Sequence, residues 1–361
     1  MTSTLRGAVI GFGFISENGH VPAYRRPGRT AFDIVAVADT CAPRREKARQ
    51  ALPGARIYES HAALLEAERG RLDFVDVTTP PSEHARIARD ALSRGLHVLC
   101  EKPLATTAEE ARAMASSARE ARRVLFPCHN YKHAPVIRAV RGILDAGDIG
   151  RVRLATLHTF RTTHARGADE WRRDWRRERR FSGGGIAMDH GSHTFYLAFD
   201  WFGAFPASIT AKMSTLGAYD TEDNFACTMT FPMGTASAHL SWTAGVRKVI
   251  YTIHGDRGAV RVEDDDIEVT VGGGAKGDVG PARPPQTSKL SVASAWMDAS
   301  HVGWFRSLFD QFADAIARRD FVGHEAESSV RCVELITGAY ASALDGSRER
   351  ALPGATLVRV A

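Results

Sequence analysis

The sequence has no apolar run of membrane-spanning length. Its longest hydrophobic stretches are the size of single β-strands, well short of the roughly 18–20 residues that a helix needs to cross a bilayer. The opening residues, Met1 to Gly7, lead straight into a strand pattern without the apolar core of a secretory signal. A cytoplasmic protein with no membrane partner is therefore expected. Cysteine is scarce: the five residues Cys41, Cys100, Cys128, Cys227 and Cys332 are scattered and form no C-x-x-C pair. That pattern argues against a disulfide framework or a zinc site, so reduced thiols and no metal are expected. Repeats are absent, and the one biased tract is a Gly- and Pro-rich stretch, Gly272 to Ser288, that reads as a long loop. The net charge is +5 and the pI near 9.0, but acids are mixed among the arginines and no nucleic-acid-reading motif accompanies them. Nucleic acid is not expected as a partner.

The 361 residues suit two domains, each able to bury its own core. Residues 1–128 alternate strand-like runs (Ala8–Gly11, Ile34–Ala38, Phe74–Thr78, Val98–Cys100, Val124–Phe126) with amphipathic ones (Arg44–Leu52, Glu83–Arg94, Ala108–Arg122). This alternation predicts an α/β Rossmann domain, a doubly wound parallel sheet with helices on both faces. The first strand ends in Gly11-Phe12-Gly13-Phe14-Ile15-Ser16, a G-x-G-x-x-G turn with Ser in the third place. Gly11 allows the tight turn, and Gly13 lets the backbone approach a pyrophosphate. The second strand ends at Asp39, an acid suited to the adenine ribose hydroxyls and hostile to a 2′-phosphate. Gly11, Phe12, Gly13, Phe14, Ile15 and Asp39 are thus candidate cofactor contacts, and NAD is expected; Arg44 and Arg45 leave NADP open. Two later strand ends carry Thr79, Pro80 and His84, and Glu101 with Lys102, towards the same sheet edge, where ligands of open α/β sheets bind. His84 has a second reading as a helix-start residue. Pro103 restricts Lys102 to an extended backbone.

Residues 129–345 read as an α+β domain. Strand patterns at Val152–Phe160, Ala207–Thr215, Phe225–Phe231, Thr235–Trp242, Val249–Gly255 and Ala259–Val262 suggest a largely antiparallel, open-faced sheet. Helices are expected over Trp304–Arg318 and Glu325–Leu344, and residues 346–361 are expected to form a closing tail strand. The segment from Trp171 to Arg180 holds six arginines, two acids and two tryptophans. It reads either as a solvated face or as a loop that holds an anionic substrate group and faces a sugar ring. After Gly183-Gly184-Gly185, a single helix is expected from Ile186 to Phe202, with Asp189 and His193 four residues apart on one face. Gly191 between them lowers helix propensity by about 0.8–1 kcal/mol, a cost that a close neighbour would explain.

With Glu101-Lys102-Pro103, the T-P-x-x-x-H loop ending at His84, His129-Asn130, and Gly183-Gly184-Gly185-x-x-x-Asp189-x-Gly191-x-His193, the chain resembles the glucose-fructose oxidoreductase/inositol dehydrogenase/rhizopine-catabolism (Gfo/Idh/MocA) family along nearly its whole length. The resemblance implies that Lys102, Asp189 and His193 are the catalytic residues and also touch substrate. It implies that Asn130 contacts cofactor and that Trp175 and Arg176 contact substrate, and it implies a homodimer or homotetramer built through the second domain's sheet. Two positions depart from the family pattern: Pro81 stands where an Asn is usual, and Tyr196 where an acid is usual. Chemically, His193 suits a general base because an unperturbed imidazole titrates near pH 6.5, Asp189 can steady it or bind a hydroxyl, and Lys102 can support a developing alkoxide. The expected activity is hydride transfer between NAD(P) and a secondary alcohol or ketone of a sugar, cyclitol or activated sugar. A redox-neutral epimerase or glycoside-cleaving enzyme with held cofactor, and a non-catalytic dinucleotide sensor, are the alternatives.

Overall fold

Short runs rich in Val, Ile and Phe become parallel strands because helices bury both of their faces. The computed structural model describes residues 4–272, 284–296 and 298–354. Six parallel strands, β1 (Leu5–Ile10), β2 (Phe32–Ala38), β3 (Arg56–Tyr58), β4 (Phe74–Val77), β5 (His97–Cys100) and β6 (Leu125–Pro127), lie in the order β3-β2-β1-β4-β5-β6. The order reverses between β1 and β4, so the loops after these two strands flank the crevice where such sheets take ligands. After β1 comes a π-helical turn, Ser16–His20, that runs on into α1 (Val21–Arg25). The other sheet helices are α2 (Ala42–Ala51), α3 (His61–Ala67), α4 (Pro81–Ser93) and α5 (Ala108–Ala121). Thr107 and Ser60 cap α5 and α3, each accepting a backbone N–H three residues on. Strand β3 and helix α3 escape the sequence pattern because three residues and two turns are too short to show a period.

The chain forms two compact units, each assembled from three stretches rather than from the contiguous blocks that the sequence suggests. One takes the described parts of Met1–Asn130, Ala165–Asp189 and Asp298–Val333. The reason for the last stretch is aromatic: α10 (Val302–Arg318) lays Phe305, Phe309 and Phe312 on the Rossmann side chains. Phe309 stacks on Tyr24 at 4.2 Å, and Phe312 meets Phe74 and Phe126 edge-on or tilted at 5.5 and 5.8 Å. Burying such rings is worth about 3–5 kcal/mol each against alanine.

The second unit takes the described parts of Tyr131–His164, His190–Met297 and Glu334–Ala361. Helix α6 (Pro135–Ala146) leads into β7 (Val152–Phe160), and the sheet continues with β8 (Ser208–Ser214), β9 (Asn224–Phe231), β10 (Gly234–Ser241), β11 (Lys248–Gly255), β12 (Gly258–Glu263), β13 (Asp266–Val271) and β14 (Gln286–Ser291), closed by β15 (Arg350–Ala351). The order is β14-β13-β12-β11-β7-β10-β9-β8-β15, antiparallel throughout except for the β7–β10 pair. The largely antiparallel sheet expected from the alternation is therefore present. Part of the expected loop Gly272–Ser288 is instead strand: Thr287 pairs with Thr270 and Ser288 with Val269. An edge strand needs only backbone pairing on one side, so its composition carries little signal. Residues 273–283 of that loop, and 355–361 of the expected tail strand, lie outside the described residues.

The single helix expected over Ile186–Phe202 is two. After the short α7 (Arg179–Ser182), α8 (Ile186–Asp189) stops at His190, and α9 (Gly191–Phe202) starts anew. The His190 carbonyl accepts the amides of both His193 and Thr194, which restarts the ladder. The break falls where the chain passes from the first unit to the second, so Asp189 and His193 do not share a helix face.

Candidate active site

In the first unit, Gly11 has φ +93°, where a side chain would be strained, and an added Cβ would meet Thr79 at 2.9 Å. Two hydroxyls converge on its carbonyl, Ser16 Oγ at 2.6 Å and Thr78 Oγ1 at 2.5 Å. At Gly13 an added Cβ would meet nothing within 4 Å, so the backbone there faces open space. Phe12 points the other way into the core and is fully buried, and Ile15 packs against the α10 aromatics; their contribution to a cofactor is backbone only. Phe14 is exposed. Asp39 closes β2 onto this turn: Oδ2 accepts the Phe12 amide at 2.6 Å and Oδ1 the Cys41 amide at 2.7 Å. Arg44 is not available for a 2′-phosphate. It is buried and donates to Phe12 O (2.5 Å), Glu17 (2.7 Å) and Glu170 (3.2 Å), while Arg45 donates to the carbonyls of Asp39 and Thr40.

Among the described residues, Thr79 Oγ1 and Asn130 Oδ1 are buried polar atoms with no hydrogen-bond partner. Unsatisfied buried polar atoms are costly and call for a ligand or water. Together with the glycine turn and Asp39, these atoms suit a dinucleotide. Pro80 caps α4. His84, one turn into that helix, is fully buried with its ring between Pro103 O (2.9 Å) and Thr79 O (2.8 Å). Burial holds its imidazole below the usual value although both carbonyls favour the charged ring. Its side chain ties the two cofactor-side loops together rather than reaching a ligand itself.

Glu101 turns inward. Oε1 faces His20 Nε2 at 3.1 Å and Oε2 accepts the Lys102 amide at 3.0 Å, while His20 Nδ1 meets Asp76 Oδ2 at 2.7 Å. Tyr24 donates to the same Asp76 oxygen at 2.9 Å. Burial alone would push the His20 imidazole down, but the two carboxylates outweigh it and raise it to about 9. Burial would raise Glu101, and the His20 contact with the nearby Lys102 charge holds it low. Cys128 brings a third potential ligand atom within 4.8 Å of His20 and Glu101; both ring nitrogens already face carboxylates, which is an ion-pair geometry. No sequence motif flagged His20 or Asp76.

Lys102 follows, joined to Pro103 by a cis peptide bond. Its ammonium donates to Asp189 Oδ1 at 2.9 Å and Asp189 O at 2.8 Å. Arg176 Nε reaches the same Oδ1 at 3.3 Å, and its guanidinium lies 4.2 Å over the Trp175 ring. Lys102, Asp189, Trp175 and Arg176 are thus brought together in one unit. The other arginines of this segment are largely engaged nearby: Arg172 and Arg180 with Glu178, Arg173 with Asp169. That is the geometry of the solvated-face reading.

In the second unit His193 is 6% exposed and its ring stacks on Tyr131 at 3.8 Å and 10°. Trp296 meets Tyr131 in a T-shaped contact at 5.1 Å. His190 accepts from Arg161 Nε at 3.2 Å, and Arg161 Nη2 donates to Tyr131 Oη at 3.3 Å. Sequence reasoning missed Tyr131, Arg161 and Trp296, which lie in separate stretches of the chain and meet only once the sheet forms.

A reversed-order parallel sheet with a glycine turn at β1, an acid at the end of β2 and a lysine–aspartate pair defines a dinucleotide-binding α/β protein. A family model for an oxidoreductase family with an NAD-binding Rossmann fold matches residues 5–129, and the C-terminal-domain model of the same family matches 137–261. The chain belongs to the Gfo/Idh/MocA family. It is 38% identical over 145 residues to D-apiose dehydrogenase of Paraburkholderia graminis, covering 40% of this chain and 37% of that protein. It is 29% identical over 290 residues to inositol 2-dehydrogenase of Rhizobium meliloti, covering 75% and 80%. The match thus spans little more than a third of the first relative and most of the second. A solved levoglucosan dehydrogenase in complex with NADH and L-sorbose shares the fold, with TM-score 0.81 at 21% identity over 98% of this chain and 100% of that one. Among the described residues no helix is long and apolar enough to cross a membrane.

Proposed function

We propose that this protein is an NAD-dependent dehydrogenase that oxidises a secondary alcohol of a sugar or cyclitol, or reduces the ketone. The observation that carries the reading is the Lys102 ammonium held at 2.9 Å by Asp189 in the unit that bears the glycine turn and Asp39. NAD, when bound, supplies the hydride acceptor. The backbone of Gly11 to Ile15 holds the pyrophosphate, Asp39 takes the ribose hydroxyls, and Asn130 and Thr79 offer the polar atoms that lack partners. The imidazole of His193 removes the hydroxyl proton. Lys102 donates to the reacting oxygen and favours its anionic form, and Asp189 fixes the ammonium in place. Arg176 and Trp175 flank the same carboxylate and bind substrate. A homodimer or homotetramer through the nine-stranded sheet, in the cytoplasm, completes the proposal; the free thiols of Cys41, Cys100, Cys128 and Cys227 are compatible with a reducing compartment.

The test is an absorbance screen for reduced cofactor, with NAD or NADP added to the pure protein and a panel of cyclitols, free sugars, sugar acids and sugar phosphates. NADH formation with one class is expected; silence across the panel with NAD retained on the protein would overturn the dehydrogenase reading in favour of redox-neutral chemistry. Asp39→Ser is expected to raise the KM for NAD by about 10–100-fold, the worth of charged hydrogen bonds, and to narrow the preference over NADP. Steady-state kinetics with both cofactors checks it, and an unchanged ratio would show that Asp39 does not read the ribose.

A further inference from the structure

Two arginines of the second unit that are not exposed, Arg161 and Arg247, lack a carboxylate partner at hydrogen-bonding distance among the described residues. Arg161 directly follows β7, and its backbone is pinned on both sides, N–H to Ser241 O at 2.8 Å and C=O from Ala244 N at 3.1 Å. It is only 9% exposed, yet its Nε and Nη2 meet neutral groups, His190 Nε2 and Tyr131 Oη. Its Nη1 is buried with no partner among the described residues. Arg247, half-buried immediately before β11, donates Nη2 to the carbonyl of Trp296. Burial and, next, the Arg161 charge hold its guanidinium below its usual value, an effect that Tyr131 and Asp264 only partly offset. Asp264 is itself engaged, by the Val249 amide at 2.9 Å and Lys248 at 3.1 Å.

Arg161 and Arg247 are the next residues beyond the Phe160–Lys248 pair that ends the antiparallel β7–β11 register. The fold thus sets two like charges side by side, one of them with an unused donor, which is costly unless an anion joins them. We propose that Arg161 and Arg247 bind the carboxylate of the substrate, making it a sugar acid, an aldonic or uronic acid, rather than a neutral polyol. This rests on the dehydrogenase reading and narrows its substrate class. A planar carboxylate matches the guanidinium fork in two parallel hydrogen bonds. The same fork also accepts a phosphate, and the glucose 6-phosphate arm of the experiment separates the two. Tyr131 connects this site to the proposed base: its hydroxyl accepts from Arg161 while its ring stacks on His193. A carboxylate seated on Arg161 therefore fixes which hydroxyl of the chain approaches the imidazole. The arginines of the Trp171–Arg180 segment are not needed for this role.

The experiment compares D-gluconate and D-galacturonate with their neutral counterparts D-glucose and D-galactose, and with glucose 6-phosphate, in wild type, Arg247→Gln, Arg247→Lys and Arg161→Gln. The acids are expected to show at least about tenfold higher kcat/KM than the neutral sugars. That ratio should fall towards unity in Arg247→Gln through KM and recover partly in Arg247→Lys. Equal loss on acids and neutral sugars would mean a structural role and overturn the proposal, as would a preference for neutral sugars or for the phosphate. If no compound yields NADH, the wider panel decides the dehydrogenase reading, and calorimetric binding of gluconate and galacturonate to the NADH-loaded protein decides this one. Binding lost in Arg247→Gln sustains the carboxylate site, and absence of binding in wild type overturns it. Because Arg161→Gln removes buried hydrogen bonds, its thermal melt is recorded first, and the Arg247 variants decide the outcome.

Discussion

His193→Ala is expected to lower kcat/KM by about 10²–10⁴-fold, the range that one general base contributes, while NAD binding changes little. The ring is almost buried and stacked on Tyr131, so the thermal melt must be measured alongside. A fall in rate with an intact melt and unchanged NADH fluorescence titration assigns the loss to proton transfer. Near-wild-type turnover would remove His193 from the mechanism. Lys102→Ala is expected to fall by a similar factor for a different reason. It withdraws the ammonium from Asp189 and leaves that carboxylate with the longer Arg176 contact.

The second large effect is on stability. His20→Gln is expected to destabilise the fold by about 3–5 kcal/mol, the cost of leaving a buried charge without its partner. Asp76 and Glu101 both face His20 and are themselves buried, so the substitution removes the cation between two carboxylates and leaves them the Tyr24 hydroxyl and the Lys102 amide as donors. The pH dependence follows from the same triad. Because the His20 imidazole is raised to about 9 in the folded chain, its contribution is fully present below about pH 6.5 and is lost as the pH rises through about 9. Glu101, held low, contributes above the ordinary carboxylate range and loses that contribution as the pH falls beneath it. Urea unfolding at about pH 6 and pH 9.5 should show the wild type weakening at the higher pH and His20→Gln showing a flatter trend. An equal decline in both would detach the effect from His20.

Much of the first unit was readable because parallel strands buried on both faces leave short Val/Ile runs, and because a glycine turn followed by a strand-end acid has a fixed spacing. The lysine–aspartate pair also came from motif positions, although what joins them is a contact of 87 residues' separation. What stayed hidden was set by tertiary structure. The break at His190 falls inside a sequence that reads as one helix, because the chain changes units there. His84 reads as a ligand contact or a helix start, and its actual role as a strut appears only when the Pro103 and Thr79 carbonyls close around it. Strand β14 has too polar a composition to announce itself. Arg161 and Arg247 stand out only by what they lack, and a missing partner leaves no mark in a sequence.

The aromatic face of α10 carries a consequence for how the chain is made. Tyr24, Phe74 and Phe126 are covered by residues 305–312, which leave the ribosome some 180 residues after Phe126. At about 5–20 residues per second, the nascent Rossmann half waits many seconds with an oily flank uncovered, through the synthesis of β7 to β14. Its beginning is finished only near its end. The first 130 residues are therefore not a separable cassette: a truncation or graft at residue 130 would divide a hydrophobic core, not a linker.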